Sequence, residues 1–397
     1  MKRQVLLLSL CQALAMTGNV VLFTVAALTG QALATDKSLA TLPIALLQLA
    51  TMSVTIPASL LMRHVGRQLG FFVGILIGLS GAGLGIYAIA THSFILFCGA
   101  MILFGSFNSF VSFYRFAAAE VATEAFRSQA ISLVIAGGVL AALVGPQLAT
   151  WSKDWLQPVV FAGSLVTIAI LQSISLCLLP FVKLPPPAKG ERQGKGRSLP
   201  TILRQPVFIT AVLGSMLGYG VMTLVMTATP LAMVADAHPF HEAASVIQWH
   251  VLGMFSPSFF TGFLIARFGL LTILSWGSGL SLLCLAINLW GTGLLSYSIA
   301  LLLLGIGWNF LFIGSTTLLT EAYTPPEKAK TQAIHDFMMF AFVAFTTLLS
   351  GSLFQNLGWK SVNLAGIPMM LLVLAAIAWL RYQRQKEAYR GQRAEGT

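Results

Sequence analysis

The chain has 397 residues, of which 57% are hydrophobic and only 9% charged, with a mean hydropathy of +0.84. A soluble domain averages about 45–50% apolar and roughly 25% charged, so these charges are too few to cover a water-facing surface, and the exterior must meet lipid. The net charge of +11 does not indicate nucleic acid, because the Lys and Arg residues lie scattered between apolar stretches of membrane-spanning length.

In chain order, the first apolar run (MKRQVLLLSLCQALAMTGNVVLFTVAALTG) outlasts the roughly 7–15 residues of a signal-peptide core and has no convincing cleavage site, so it reads as a retained helix. Twelve spans are expected: 5–34, 40–62, 69–91, 94–118, 129–150, 158–181, 206–233, 244–266, 270–290, 296–320, 332–355 and 361–380. Between the sixth and seventh lies KLPPPAKGERQGKGRSLPTILRQP, a basic linker rich in proline and glycine. The chain thus divides into a six-helix bundle over 1–182, a cytoplasmic linker over 183–205, a second bundle over 206–382 and a cytoplasmic tail over 383–397. Cys11, Cys98, Cys177 and Cys284 lack disulfide or zinc spacing, and neither a metal nor a cofactor is expected.

With the N-terminus in the cytoplasm, the inner side collects all but Lys37, Lys153 and Lys360 of the 23 Lys and Arg residues. That asymmetry places both termini in the cytoplasm and demands an even number of spans. The expected location is a bacterial inner membrane.

The halves repeat. SLLMRHVGRQLG (59–70) follows span two and GFLIARFGLLTI (262–273) follows span eight. Gly66 and Gly269 are 203 residues apart; Asn108 and Asn309 are 201 apart, as are Glu120 and Glu321. Parallel repeats of a six-helix half are a known transporter plan, with substrate bound near the midplane. The first stretch keeps Leu61, Gly66 and Arg67 of a Gly-x-Leu-x-Asp-Arg-x-Gly-Arg pattern, with Arg63 at the Asp position, and the second keeps Gly262, Leu264, Arg267 and Gly269. On these residues the chain resembles the major facilitator superfamily. The resemblance implies an all-α membrane protein of twelve transmembrane helices in two pseudo-symmetric six-helix halves.

A family feature at the end of helix 4, Glu-x6-Arg, is matched by Glu120 with Arg127 and echoed by Glu321 with Lys328. The resemblance implies that Arg63, Gly66, Arg67, Arg115, Glu120, Arg127, Arg267, Gly269, Glu321 and Lys328 form a cytoplasmic gate; ordinary inside-positive loop charge is the alternative. Asp336 is expected to supply the negative partner of Arg63. Arg115 either attracts an anionic group or snorkels to the interface. In span five, GGVLAALVGPQLAT carries Gly137, Gly138, Gly145 and Pro146 and resembles an antiporter motif associated with proton-coupled drug efflux. Small residues also let helices approach closely without mechanistic meaning.

An ionisable group inside a span is a functional suspect. His250, His335 and Asp336 are the proton-coupling candidates, with packing roles or a gate ion pair as the alternatives. Asn108 and Asn309 each precede the matching Glu by twelve residues, about 18 Å along a helix, and both are expected to face the substrate unless they bond between helices. Asn19, Gln48, Phe107, Gln147, Gln248, Trp249 and Trp308 complete an expected binding surface suited to a neutral amphipathic organic molecule.

The partners read from the sequence are a small-molecule substrate, protons and the lipid bilayer, with no nucleic acid and a monomeric chain. The first functional expectation is proton-coupled efflux by alternating access. The second is proton-coupled uptake of a vitamin-like or aromatic nutrient. A membrane sensor or enzyme is the third, disfavoured because neither HExxH nor GxSxG occurs.

Overall fold

The computed structural model describes residues 2–35, 42–157, 159–184 and 196–395; residues 185–195 of the expected linker lie outside the described residues. Lipid offers backbone groups no hydrogen-bonding water, so apolar spans become helices. The elements are α1 (Lys2–Leu33), α2 (Leu42–Val65), α3 (Arg67–Ala90), α4 (Phe94–Val111), α5 (Tyr114–Val121), α6 (Arg127–Ser152), α7 (Ala162–Leu178), α8 (Leu199–Leu203), α9 (Pro206–Ala235), α10 (Phe240–Phe255), α11 (Ser258–Phe268), α12 (Leu270–Trp290), α13 (Leu294–Leu319) and α14 (Lys328–Glu395). No strand occurs among the described residues.

Ten helical stretches among the described residues are long and apolar enough to cross a bilayer, and the bent pair of α10 and α11 makes an eleventh. The pair bends by 44° at Pro257, which cannot donate to the helix ladder. The last stretch, Pro325–Lys386, has 62 residues, about 90 Å of helix against a hydrocarbon core of about 30 Å. It is broken at Gly358, where φ is +77°. Taken as two crossings, it brings the spans to twelve.

The chain forms two compact units. The first comprises Met1–Gly194 and Lys328–Ala341, the second Lys195–Glu327 and Phe342–Thr397. Packing therefore assigns the start of α14 to the first unit, whereas the sequence division places it in the second half. Ser59 Oγ donates to the Ala329 carbonyl at 2.8 Å, and Arg67 donates to Gln332 Oε1 at 2.6 Å.

Within each unit the helices pack by the same plan. In the first, α4 lies against α2 and α3; in the second, α13 lies against α10 and α12. The α2–α3 and α11–α12 breaks use Gly66 (φ +91°) and Gly269 (φ +86°), conformations that cost a side-chain-bearing residue. Close approach also recurs. A Cβ on Gly105 would lie 2.1 Å from the Leu47 carbonyl oxygen of α2, and one on Gly305 would lie 2.5 Å from the His250 carbonyl oxygen of α10. Gly105→Ala and Gly305→Ala should each cost about 1–3 kcal/mol through overpacking, read as a lowered Tm of the purified protein. A neutral result at either site would mean that the helices do not approach so closely.

At one end of the second unit, the turn between α9 and α10 is held by His238. Its Nδ1 lies 2.8 Å from Glu242 and its Nε2 lies 2.8 Å from the Thr292 carbonyl. The Thr292 carbonyl foremost, and then the Glu242 carboxylate, favour the imidazolium and raise the pKa above its ordinary 6.5. A raised value means the latch contributes fully below pH 6.5 and is lost as pH rises through the higher folded value. Amide exchange over 236–242 should therefore accelerate on raising the pH across that window beyond the intrinsic trend, and His238→Gln should abolish the excess.

Candidate functional site

At the basic end of the first unit, Glu120 closes α5 and binds two cations. Arg67 Nε donates to its two oxygens at 2.8 and 2.9 Å, and Lys328 Nζ lies 3.2 Å away. The expected Glu120–Arg127 and Glu321–Lys328 pairs are thus replaced. A 3₁₀ turn over Glu124–Phe126 interrupts the helix between Glu120 and Arg127, so a spacing of seven does not stack them on one face. Glu321 instead pairs with Arg384 at 2.5 Å, both groups being about two-fifths exposed. Arg267 lies over the Phe268 ring at 5.3 Å.

Deeper in the same unit, Asp336 pairs with Arg115 at 2.5 Å, with the side chains 0% and 4% exposed. This corrects the expected Arg63 pairing. The span breaks after Val111 and resumes at Tyr114, and Arg115 is buried rather than snorkelling, with its guanidinium 4.6 Å over Phe116. His335 Nδ1 donates to the same Asp336 oxygen at 2.8 Å. A cation, a carboxylate and an imidazole are thereby joined at the start of α14.

The antiporter-like glycines pack α6 on α1. A Cβ on Gly137 would lie 3.0 Å from Ala13 N, and one on Gly145 would strike Val20 at 2.5 Å. Gly138 is buried and Pro146 is exposed.

The two central asparagines differ. Asn309 is fully buried, and its Nδ2 donates to the Met254 carbonyl at 2.6 Å and Ser258 Oγ at 2.5 Å. Its Oδ1 accepts from Thr261 at 2.6 Å. These bonds stitch α13 across the α10–α11 bend, so Asn309 is structural and the expectation that it faces substrate is corrected. Asn108 has a buried Oδ1 with no partner, an acceptor in reserve. His250 is likewise interhelical: it is fully buried, and its Nδ1 donates to the Leu301 carbonyl at 2.7 Å.

Asn19 and Gln48 are half-buried and Phe107 is buried. Gln147 and Gln248 are exposed, as is Trp249 at 55%. Trp249 and the buried His250 are neighbours in α10, about 100° apart around the helix.

In the second unit, Trp308 of α13 heads an aromatic cluster. Its ring stacks on Phe312 with centroids 4.8 Å apart and planes 10° apart. Tyr219 of α9 meets Trp308 edge-on at 5.3 Å, and Phe255 of α10 does so at 5.8 Å. Sequence reasoning found Trp308 but missed Tyr219, Phe255 and Phe312, because aromatic residues are common in spans and only folding brings three helices together. The i, i+4 spacing of Trp308 and Phe312 was the available signal.

The model of the Major Facilitator Superfamily matches residues 8–238 and 211–396. The riboflavin transporter RfnT of Brucella anthropi is 40% identical over 378 residues, covering 95% of each chain. The uncharacterized MFS-type transporter YddS of Bacillus subtilis is 27% identical, covering 92% of this chain and 88% of its own. Among solved structures, the major facilitator transporter FucP in its outward conformation superposes with a TM-score of 0.79 at 16% identity, over 95% of this chain and 98% of its own. The chain accordingly belongs to the major facilitator superfamily: it is an integral membrane transporter of a small molecule, not an enzyme.

Proposed function

We propose that this transporter takes up riboflavin, or a flavin with the same ring system, by alternating access, as a monomer in a bacterial inner membrane with both termini cytoplasmic. The observation that carries this reading is the 40% identity with a riboflavin transporter along 95% of both chains. Riboflavin is neutral, flat at one end and hydroxylated at the other, and a cluster of Tyr219, Phe255, Trp308 and Phe312 suits such an amphipathic molecule. The reading favours uptake over efflux, because the relative's substrate is a vitamin and the antiporter-like glycines serve helix packing. Expression in a riboflavin auxotroph should restore growth on low external riboflavin, with labelled riboflavin accumulating in the cells. Lowered accumulation relative to the empty host would reverse the direction.

The proposed proton site is Asp336 with His335, held against Arg115 in the first unit. Protonating Asp336 would discharge its half of the ion pair and loosen the start of α14. Asp336→Asn takes the carboxylate away from the buried Arg115, a loss of about 3–5 kcal/mol. Asp336→Asn combined with Arg115→Gln removes both charges and should recover most of that stability. In proteoliposomes, a pH gradient should drive riboflavin accumulation by the wild type but not by the double variant. Undiminished gradient-driven uptake by a stable double variant would move the coupling elsewhere.

A further inference from the structure

Buried tryptophans normally find an acceptor for the indole N–H, because an unmade hydrogen bond away from water is costly. Trp308 is 3% exposed, and its Nε1 has no partner. Its chain neighbour Asn309 satisfies both its amide nitrogen and its oxygen through three bonds to α10 and α11, so polar groups are available to α13 at this depth. Thr316, two turns further along α13 and fully buried, also keeps an unpartnered oxygen. Eight residues separate the two groups, about 12 Å along the helix, and Phe312 lies between them.

We infer that Trp308, Phe312 and Tyr219 form a subsite for a flat, conjugated heteroaromatic ring bearing carbonyl acceptors, with Trp308 Nε1–H donating to the ring's carbonyl edge. The inference rests on the flavin reading above and deepens it: recognition falls on the ring system rather than on the hydroxylated chain. Tyr219 is half-buried and stands nearly perpendicular to both stacked rings, with centroids 5.3 Å from Trp308 and 5.9 Å from Phe312. It is therefore the member through which a ligand ring joins the cluster by offset or edge-on contact. Thr316 Oγ1 can donate or accept, which suits a ring with both N–H and carbonyl groups.

The test is equilibrium binding to the purified full-length protein in lipid nanodiscs, followed by quenching of riboflavin fluorescence. Lumichrome, which keeps the ring and lacks the polyol, should compete with riboflavin, and ribitol should not. Trp308→Phe keeps the aromatic face and removes only the donor, so it should weaken riboflavin and lumichrome alike by about tenfold. Its Tm should stay close to that of the wild type, because no native hydrogen bond is lost. Trp290→Phe, at a 90% exposed position, should leave binding unchanged and controls for fluorescence artefacts.

If riboflavin binds but ribitol is the competitor, or if a stable Trp308→Phe protein binds with wild-type affinity, the subsite is overturned and the flavin reading stands. If riboflavin fails to bind while lumichrome binds and is weakened by Trp308→Phe, the flavin reading falls and the ring subsite stands. Binding of neither compound overturns both.

Discussion

A span in lipid has no water to complete its hydrogen bonds, so each polar group within it must find a partner in the protein or be kept for a ligand. Most buried polar side chains here follow the first course. Serine and threonine hydroxyls turn back to the carbonyl four residues earlier, as Thr17, Thr55 and Thr229 do. His250 and Asn309 reach across to neighbouring helices. Against that background a few buried atoms keep no partner, among them Asn108 Oδ1, Trp308 Nε1 and Thr316 Oγ1, beside His250 Nε2, Ser315 Oγ and Trp359 Nε1.

The same constraint explains the buried charges. A buried charge without a counter-charge is costly, and Arg115, Asp336 and His335 form one connected group. The attachment of residues 328–341 to the first unit rests on it, reinforced nearer the basic end by Glu120 with Arg67 and Lys328. In the second unit, Glu327 is buried against Arg197 and receives backbone N–H groups from Arg197 and Thr324, holding the described end of the linker segment. Charge is thus concentrated where α14 begins, on both sides of the boundary between Glu327 and Lys328.

The repeat is deeper than its sequence identity. Gly66 and Gly269 adopt the same unusual backbone at matched breaks, and Gly105 and Gly305 admit the same close helix approach. The asparagines share a register but not a role. Thr261, Ser258 and the Met254 carbonyl, gathered around the bend at Pro257, occupy every bond that Asn309 makes. The matched α2 runs unbroken through Pro57 and leaves Asn108 Oδ1 unpartnered. A proline-induced bend in one half therefore divided two residues that the sequence presents as equivalents.

What the sequence determined by itself was the membrane-spanning helical fold and its internal duplication. Those follow from runs of apolar residues, glycines at turns and spacing along one chain, all local or additive quantities. Which cation takes which carboxylate was decided only by tertiary structure: Asp336 with Arg115 rather than Arg63, and Glu120 with Arg67 and Lys328 rather than Arg127. The gathering of Tyr219, Phe255, Trp308 and Phe312 was decided there too. Ion pairing and ring contact act over a few ångströms between residues remote in the chain, so they depend on helix rotation and on breaks such as that between α4 and α5, which linear spacing does not encode.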